Sequence, residues 1–147
     1  MQAHSRKAGA GFTLLELMIV VVIIAILAAI AIPNYLQYSL RSRRSDAMAG
    51  LAQNQAILER CYAAGFDYTQ VNIATPPAGC TAIDALSPNK YYAITLPAPT
   101  TSAYTLTATP APGSPQLKDT ACTSFSVNSV NLQTSTGSGG STVCWSH

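Results

Sequence analysis

The feature that most constrains this chain is an apolar block near its amino terminus. From Phe12 to Ile32, only Thr13 and Glu16 fall outside the apolar residues and alanine. A helix rises about 1.5 Å per residue, so a block of this length reaches roughly 30 Å, the thickness of a bilayer's hydrocarbon core. The sequence therefore predicts one transmembrane helix. A cleaved secretory signal is the alternative, since residues 28–31 are rich in alanine, but the block exceeds the roughly 7–15 apolar residues of such signals.

The size and charge of the chain bound what the remainder can be. A length of 147 residues and a mass of 15.4 kDa fit one small domain plus one long appendage. The formal net charge is +2 and 10% of the residues are charged. Nucleic-acid binding requires a clustered basic surface, so this composition makes nucleic acid an unlikely direct partner.

The cysteines indicate an oxidising compartment. There are four, all after the apolar block: Cys61, Cys80, Cys122 and Cys144. No pair has the spacing of a zinc site, and the histidines, His4 and His147, lie at the two ends, so no metal is expected. An even number of cysteines favours two disulfides, for which three pairings are possible. We favour the sequential one, Cys61–Cys80 and Cys122–Cys144, whose loops of about 20 residues would each contribute about 3 kcal/mol.

Glu16 is an unusual residue for an apolar helix. A charged residue at the centre of a membrane helix costs about 2.5–3.5 kcal/mol to insert, and less near its ends. One interpretation places Glu16 at the helix start, near headgroups and the positive end of the helix dipole. The other pairs it with a positive charge on another subunit. A suitable charge exists only if the chain is cut before Phe12, which creates a free amine four residues away.

The residues around this position resemble the signal of a known family. Residues 11–16 (GFTLLE) follow a short leader containing Arg6 and Lys7 and precede the apolar run, which is similar to the class III signal of type IV pilins. The resemblance implies that residues 1–11 are a prepilin leader. It also implies that a dedicated inner-membrane prepilin peptidase cuts after Gly11.

The same resemblance assigns roles to three further residues. It implies that the peptidase methylates the amino group of Phe12 and that Glu16 orients and pairs subunits during assembly. Pro33 matches the proline that ends the membrane part of the pilin helix. Proline lacks an amide hydrogen and clashes with the preceding turn, so we expect a kink or a weakened helix there. The matching part covers residues 1–60, approximately.

The orientation in the membrane depends on two lines of evidence that disagree with a third. Arg6 and Lys7 precede the block, whereas Arg41, Arg43 and Arg44 follow it, so the positive-inside rule does not by itself place the leader in the cytoplasm. The four cysteines, which follow the block, and the pilin leader both place the leader in the cytoplasm. The expected localisation is a single-pass inner-membrane precursor with a periplasmic carboxy-terminal domain, and afterwards an extracellular pilus.

Residues 33–62 are predicted to form an amphipathic helix that continues the membrane helix (12–32). Apolar residues recur on one face: Leu40, Ala47, Leu51, Leu58 and Tyr62. Polar residues lie largely elsewhere: Gln37, Arg41, Arg44, Asn54 and Gln55. Gly50 weakens a helix by about 1 kcal/mol relative to alanine. Either a neighbour approaches closely there or the glycine is simply tolerated.

The basic residues 41, 43 and 44 have two interpretations. Such a run is usually a solvated helix face, with anionic lipid or DNA as possible ligands. In a filament it could instead pair with acidic side chains of a neighbouring subunit, for which Asp46 and Glu59 are candidates.

The remainder predicts a small antiparallel sheet, giving an α+β fold in which the long helix packs on three or four strands, as in type IV pilins. Residues 63–90 are expected to be a connecting loop, and residues 91–147 the sheet with a disulfide-bounded region. Strands are predicted at 91–96, 102–109 and 121–127, the last continuing towards residue 132. The low-complexity segment 134–142 is expected to be a flexible surface loop. Cys122 and Cys144 resemble the disulfide that bounds the variable region of pilins.

The function that this resemblance implies is a structural subunit of a type IV pilus, supporting twitching motility, adhesion or DNA uptake. Expected partners are other pilin subunits, prepilin peptidase, the inner-membrane assembly machinery and the membrane. We expect no enzyme activity and no cofactor, because no catalytic constellation is present.

Three alternatives share the leader. One is a pseudopilin of a type II secretion system, although the widely spaced Asp67, Asp84 and Asp119 do not support the calcium site of such proteins. The others are a minor or tip pilin that primes assembly and a DNA-binding competence pilin, for which Lys90 and Lys118 alone are thin support.

Overall fold

The computed structural model describes residues 12–72 and 74–146, in two compact units that divide after Tyr38. The predicted leader and the cleavage residue Gly11 therefore lie outside the described residues. One helix, α1 (Leu14–Gly65), runs from the first unit into the second. The helix continues through Pro33, and the expected kink at this residue stays a prediction.

The carboxy-terminal end of α1 lies three residues beyond the predicted end at Tyr62. The Phe66 amide donates to the carbonyl of Tyr62 (2.7 Å), which continues the helical hydrogen bonding to the end of α1. Phe66 then takes a left-handed conformation, with φ of 53°, and this reversal of the chain ends the helix.

The second unit contains a four-stranded antiparallel sheet, which confirms the predicted α+β fold. The strands are β1 (Tyr92–Thr95), β2 (Thr105–Pro110), β3 (Ser124–Asn128) and β4 (Gln133–Thr136), and they lie in the order β1-β2-β3-β4. Consecutive strands pair throughout, as short connections favour. Single 3₁₀ turns occur at Tyr68–Asn72 and Pro115–Lys118.

The prediction of a flexible loop at residues 134–142 is wrong. This segment contains most of β4 and the start of a short helix, α2 (Gly140–Trp145). Hydroxyl groups across the strands account for part of the order, since Thr136 Oγ1 lies 2.6 Å from Ser124 Oγ and 2.8 Å from Thr123 Oγ1. Low sequence complexity did not reveal this, because threonine and serine suit both loops and strands.

The core lies between the sheet and the part of α1 in the second unit. Its members come from the helix, from alternate positions of β1 to β3, and from the cysteines. Fully buried apolar members include Leu51, Leu58, Tyr92, Leu106, Phe125 and Val127. Both disulfides join this core, and they connect Cys61 to Cys80 and Cys122 to Cys144, which is the sequential pairing.

The buried face of α1 is less apolar than predicted. Ala47, Leu51 and Leu58 are buried as expected, but Arg44 and Asn54, which were placed elsewhere, are buried as well. The Asn54 side chain bonds the backbone of Asp84 in both directions, at 2.7 Å and 3.1 Å. A polar residue can occupy this face because its hydrogen bonds are satisfied inside the fold.

Gly50 lies where a neighbour approaches the helix. A Cβ atom at this position would be 2.6 Å from Cδ1 of Ile94 and 3.1 Å from Cα of Ser87. Real side chains do not come that close, so the glycine permits tight packing of the helix on β1 and the segment before it. Of the two interpretations of Gly50, the structure supports close approach.

Both outer strands of the sheet have further contacts along their free sides. Next to β1, the Ser87 amide donates to the carbonyl of Tyr92 (2.9 Å) and the Ile94 amide to the carbonyl of Ala85 (2.8 Å). Next to β4, α2 follows directly: the Trp145 indole donates to the carbonyl of Thr134 (3.0 Å). The two sheet edges are therefore occupied by other parts of the same chain.

Candidate assembly surface

The first unit presents its apolar side chains on the outside. Leu14 is 76% exposed and Ile30 is 62% exposed, and the large apolar residues between them are also exposed. Within the described residues, one helix is long and apolar enough to cross a membrane, and its most apolar window has no buried residue. An uncovered apolar surface of this kind requires lipid or protein around it.

The start of α1 positions Glu16 in the first helical turn. The hydroxyl of Thr13, which precedes the helix, accepts a hydrogen bond from the Glu16 amide (3.2 Å). Thr13 therefore caps the helix, and the spacing Thr-x-x-Glu is typical of a capping box. Sequence reasoning missed this role for Thr13, although the motif was present. Phe12 is exposed just before the cap.

In the second unit, Arg44 and Asp119 form a buried ion pair. Arg44 donates from Nε to Oδ2 of Asp119 (2.7 Å) and from Nη2 to Oδ1 (2.9 Å), and the side chains are 4% and 3% exposed. Asp119 also accepts the amide of Cys122 (3.2 Å). The pair joins α1 to the segment before β3 and corrects the expectation that Arg44 lies on a solvated face. Nothing in the sequence connects residues this far apart.

Asp46 is also enclosed by its own chain. Its carboxylate accepts hydrogen bonds from the Asn89 amide (2.8 Å), the Tyr91 amide (3.3 Å) and the Ser87 hydroxyl. The residue is 4% exposed. Asp46 holds the loop before β1 and is not free for a neighbouring subunit, so that part of the sequence-based hypothesis is wrong. Glu59 remains exposed.

Three tyrosine hydroxyls in the second unit have raised pKa values. Burial is the main cause for each, and it raises the pKa of Tyr68 and of Tyr92 to about 12 and that of Tyr104 in the same direction. Tyr68 and Tyr104 both donate to Glu59 Oε1, at 3.1 Å and 3.2 Å, and this negative charge opposes ionisation further.

These shifts predict a loss of stability in alkali. Between pH 10 and about 12, the tyrosines ionise in the unfolded chain but stay neutral in the folded one. The unfolded state then binds fewer protons, so the free energy of unfolding falls as the pH rises through this window and is unaffected by these groups below it. Denaturant unfolding at a series of pH values measures the effect. In Tyr92→Phe, which cannot ionise, the decline should be smaller; an equal decline would exclude a contribution from Tyr92.

Comparison with known proteins identifies the family. A family model described as "Prokaryotic N-terminal methylation motif" matches residues 6–32. A second one, described as "Type IV minor pilin ComP, DNA uptake sequence receptor", matches residues 33–126, more than half of the chain. The chain belongs to the type IV pilins. The recognition made from residues 11–16 is thereby confirmed, and this pilin matches the two models in adjoining segments.

Individual relatives agree with the family. The pilin is 57% identical over 51 residues to the type IV major fimbrial protein FimA of Dichelobacter nodosus, which is 35% of this chain and 33% of the relative. It is 46% identical over 70 residues to a fimbrial protein of Pseudomonas aeruginosa, 48% of this chain and 44% of the relative. The pilin thus spans less than half the length of these relatives in each alignment.

Proposed function

We propose that this pilin is a structural subunit of a type IV pilus. In this proposal, prepilin peptidase cuts the precursor between Gly11 and Phe12 and methylates the new amino group of Phe12. The precursor waits in the inner membrane as a single-pass protein with its second unit in the periplasm. The assembly machinery then moves the processed subunit into an extracellular filament, which would serve motility, adhesion or DNA uptake.

The observation that carries the proposal is the uncovered apolar helix that directly follows a cleavage motif. Lipid solvates this surface before assembly, and packing against the helices of other subunits removes it from water afterwards. Lipid and neighbouring helices would cover the same apolar surface in turn. Extraction from the membrane and polymerisation would therefore replace lipid contacts by contacts with other subunits in one step. The match to the methylation motif supports the same interpretation.

Glu16 has a defined task in this exchange. An unpaired carboxylate among apolar helices would be strongly unfavourable in the interior of a filament. Cleavage before Phe12 creates an amine, and the amine of a neighbouring subunit could neutralise Glu16. Within one chain, Glu16 lies four residues after Phe12, and Thr13 caps the helical turn that holds it.

Processing is tested by mass spectrometry of the protein from sheared filaments. We expect the mature chain to begin with N-methylated Phe12 and to lack residues 1–11. Protein from a strain without the peptidase serves as the control and should retain Met1. Filaments whose subunits still carried Met1 would contradict both the cleavage and the role of the amine.

The family model favours a second candidate, a minor pilin that takes part in DNA uptake. The low overall charge argues against DNA binding, whereas the description of that family argues for it. Two measurements separate the candidates: the abundance of this chain relative to other pilins in purified filaments, and its affinity for duplex DNA at several salt concentrations. A rare subunit with salt-sensitive DNA binding would favour the second candidate.

A further inference from the structure

Four positively charged side chains of the second unit, three exposed and one half-buried, gather at one end. They are Arg41, Arg43, Lys90 and Lys118, which we call the basic end. Arg41 and Arg43 lie near the start of this unit's part of α1, and Arg43 lies over the ring of Tyr91, 5.2 Å from its centroid. Lys90 precedes Tyr91 in the chain. Lys118 precedes Asp119, the partner of Arg44.

Among the residues that the structure describes, no acidic side chain offsets this charge at the surface of the basic end. The two carboxylates nearby are Asp46 and Asp119, and each is 4% exposed. Asp119 is neutralised by Arg44, and Asp46 is enclosed by the loop before β1. Within the described residues, no carboxylate lies within ion-pair distance of the four basic side chains. The basic end therefore presents an uncompensated positive surface.

The opposite end of the same unit is acidic. Glu59 and Asp84 are exposed and Asp67 is half-buried, and together they form what we call the acidic end. The backbone amide of Asp84 donates to the Asn54 side chain. The hydroxyl of Tyr68, which follows Asp67, donates to Glu59. Of the cations that the structure describes in the second unit, Arg60 alone lies there, next to Glu59.

The two ends are electrostatically separate. Glu59 comes 16 positions after Arg43 in α1, which corresponds to roughly 24 Å along the helix axis. This distance exceeds the Debye length of about 8–10 Å at physiological salt. Neither end screens the other, so each can attract an oppositely charged surface of another molecule.

We propose that the basic end of one subunit docks against the acidic end of a second copy of the same chain in the filament. A head-to-tail contact of this kind joins two different surfaces and repeats indefinitely, which generates an open helical polymer. Charge complementarity favours a second copy over lipid or DNA, because an anionic partner would use the basic end alone. This inference rests on the proposed filament function.

Charge reversal at each end tests the contact in cells that assemble the full chain. Arg41→Glu with Lys90→Glu and Lys118→Glu makes the basic end acidic, since only Arg43 of its four cations then keeps its charge, and Asp67→Lys with Asp84→Lys makes the acidic end basic. Each set of substitutions should lower the amount of this chain in sheared filaments on the order of tenfold, because like charges then face each other. Combining all five substitutions restores complementarity and should recover most of the assembly.

Arg60→Glu is the control, since it reverses one charge, as each single substitution of the basic end does, but leaves opposite signs at the two ends. It should assemble like the unchanged chain, and fluorescence of Trp145, the single tryptophan, checks that every variant is folded. Loss without recovery in the combined variant would overturn the head-to-tail contact. Loss of DNA or vesicle binding with normal assembly in the variant whose basic end is reversed would also overturn it, in favour of that other ligand. If the unchanged chain never entered filaments, the proposed function itself would fail.

Discussion

Arg44→Ala is expected to lower the free energy of unfolding of the second unit by about 3–5 kcal/mol, the usual cost of removing one partner from a buried ion pair. The loss arises because Asp119 would keep its charge in a site that is 3% exposed. Its remaining hydrogen bond, from the Cys122 amide at 3.2 Å, does not replace two charged donors. Since Asp119 lies between a 3₁₀ turn and β3, the damage should reach the disulfide-bounded region.

Chemical denaturation followed by Trp145 fluorescence measures this change, because the indole packs on Phe125 in the core, with ring centroids 5.7 Å apart. Arg41→Ala is the matched control, as it removes an exposed arginine from the same helix. It should change stability by less than about 0.5 kcal/mol.

A double variant separates the effect of the two charges on stability from the effect of the volume that the two side chains fill. Arg44→Met with Asp119→Leu removes both charges and keeps apolar volume, so much of the lost stability should return. Equal stability of Arg44→Ala and Arg41→Ala would show that the ion pair contributes nothing to the fold.

Glu16→Gln is expected to abolish entry of the pilin into filaments while leaving cleavage at Gly11 intact. Glutamine has almost the same shape as glutamate but no charge, so it cannot neutralise the amine of Phe12 on a neighbour. The subunit should therefore accumulate in the membrane in its processed form. Comparing cell-associated and sheared protein, with mass spectrometry of the amino terminus, measures both parts of the prediction.

Thr13→Ala provides the control for this experiment. It removes the cap of α1, which costs about 0.5–2 kcal/mol of helix stability, but it leaves the charge of Glu16 in place. Assembly should survive in Thr13→Ala. If Glu16→Gln assembled as well as Thr13→Ala, the charge of Glu16 would be dispensable for assembly, and the ion-pair hypothesis would be wrong.

Local patterns in the sequence predicted most of the architecture. The apolar block and the amino-terminal methylation motif depend on neighbouring residues, and so does the alternation in β2, where Leu106 and Ala108 are buried and Thr105 and Thr109 are exposed. Each pattern could be interpreted without knowledge of the rest of the chain. These are the features that the structure and the family comparison support.

Pairs distant in the sequence could not be predicted in the same way. Arg44 and Asn54 were placed on the solvent side because they are polar, but Asp119 and the backbone of Asp84 satisfy them inside the fold. The order of β4 depends on hydroxyl contacts with Thr123 and Ser124. In each case the hydrogen-bond partner comes from a distant part of the sequence, so a local sequence pattern could not predict the contact.

The covered edges of the sheet have a consequence for a chain that we propose polymerises through its helix. An open strand edge invites pairing with any other chain and leads towards aggregates of the amyloid type. Here residues 85–87 cover β1 and α2 lies against β4, so crowded subunits cannot stack through their sheets. A change that released α2 would uncover the edge of β4 and should make the protein prone to aggregation.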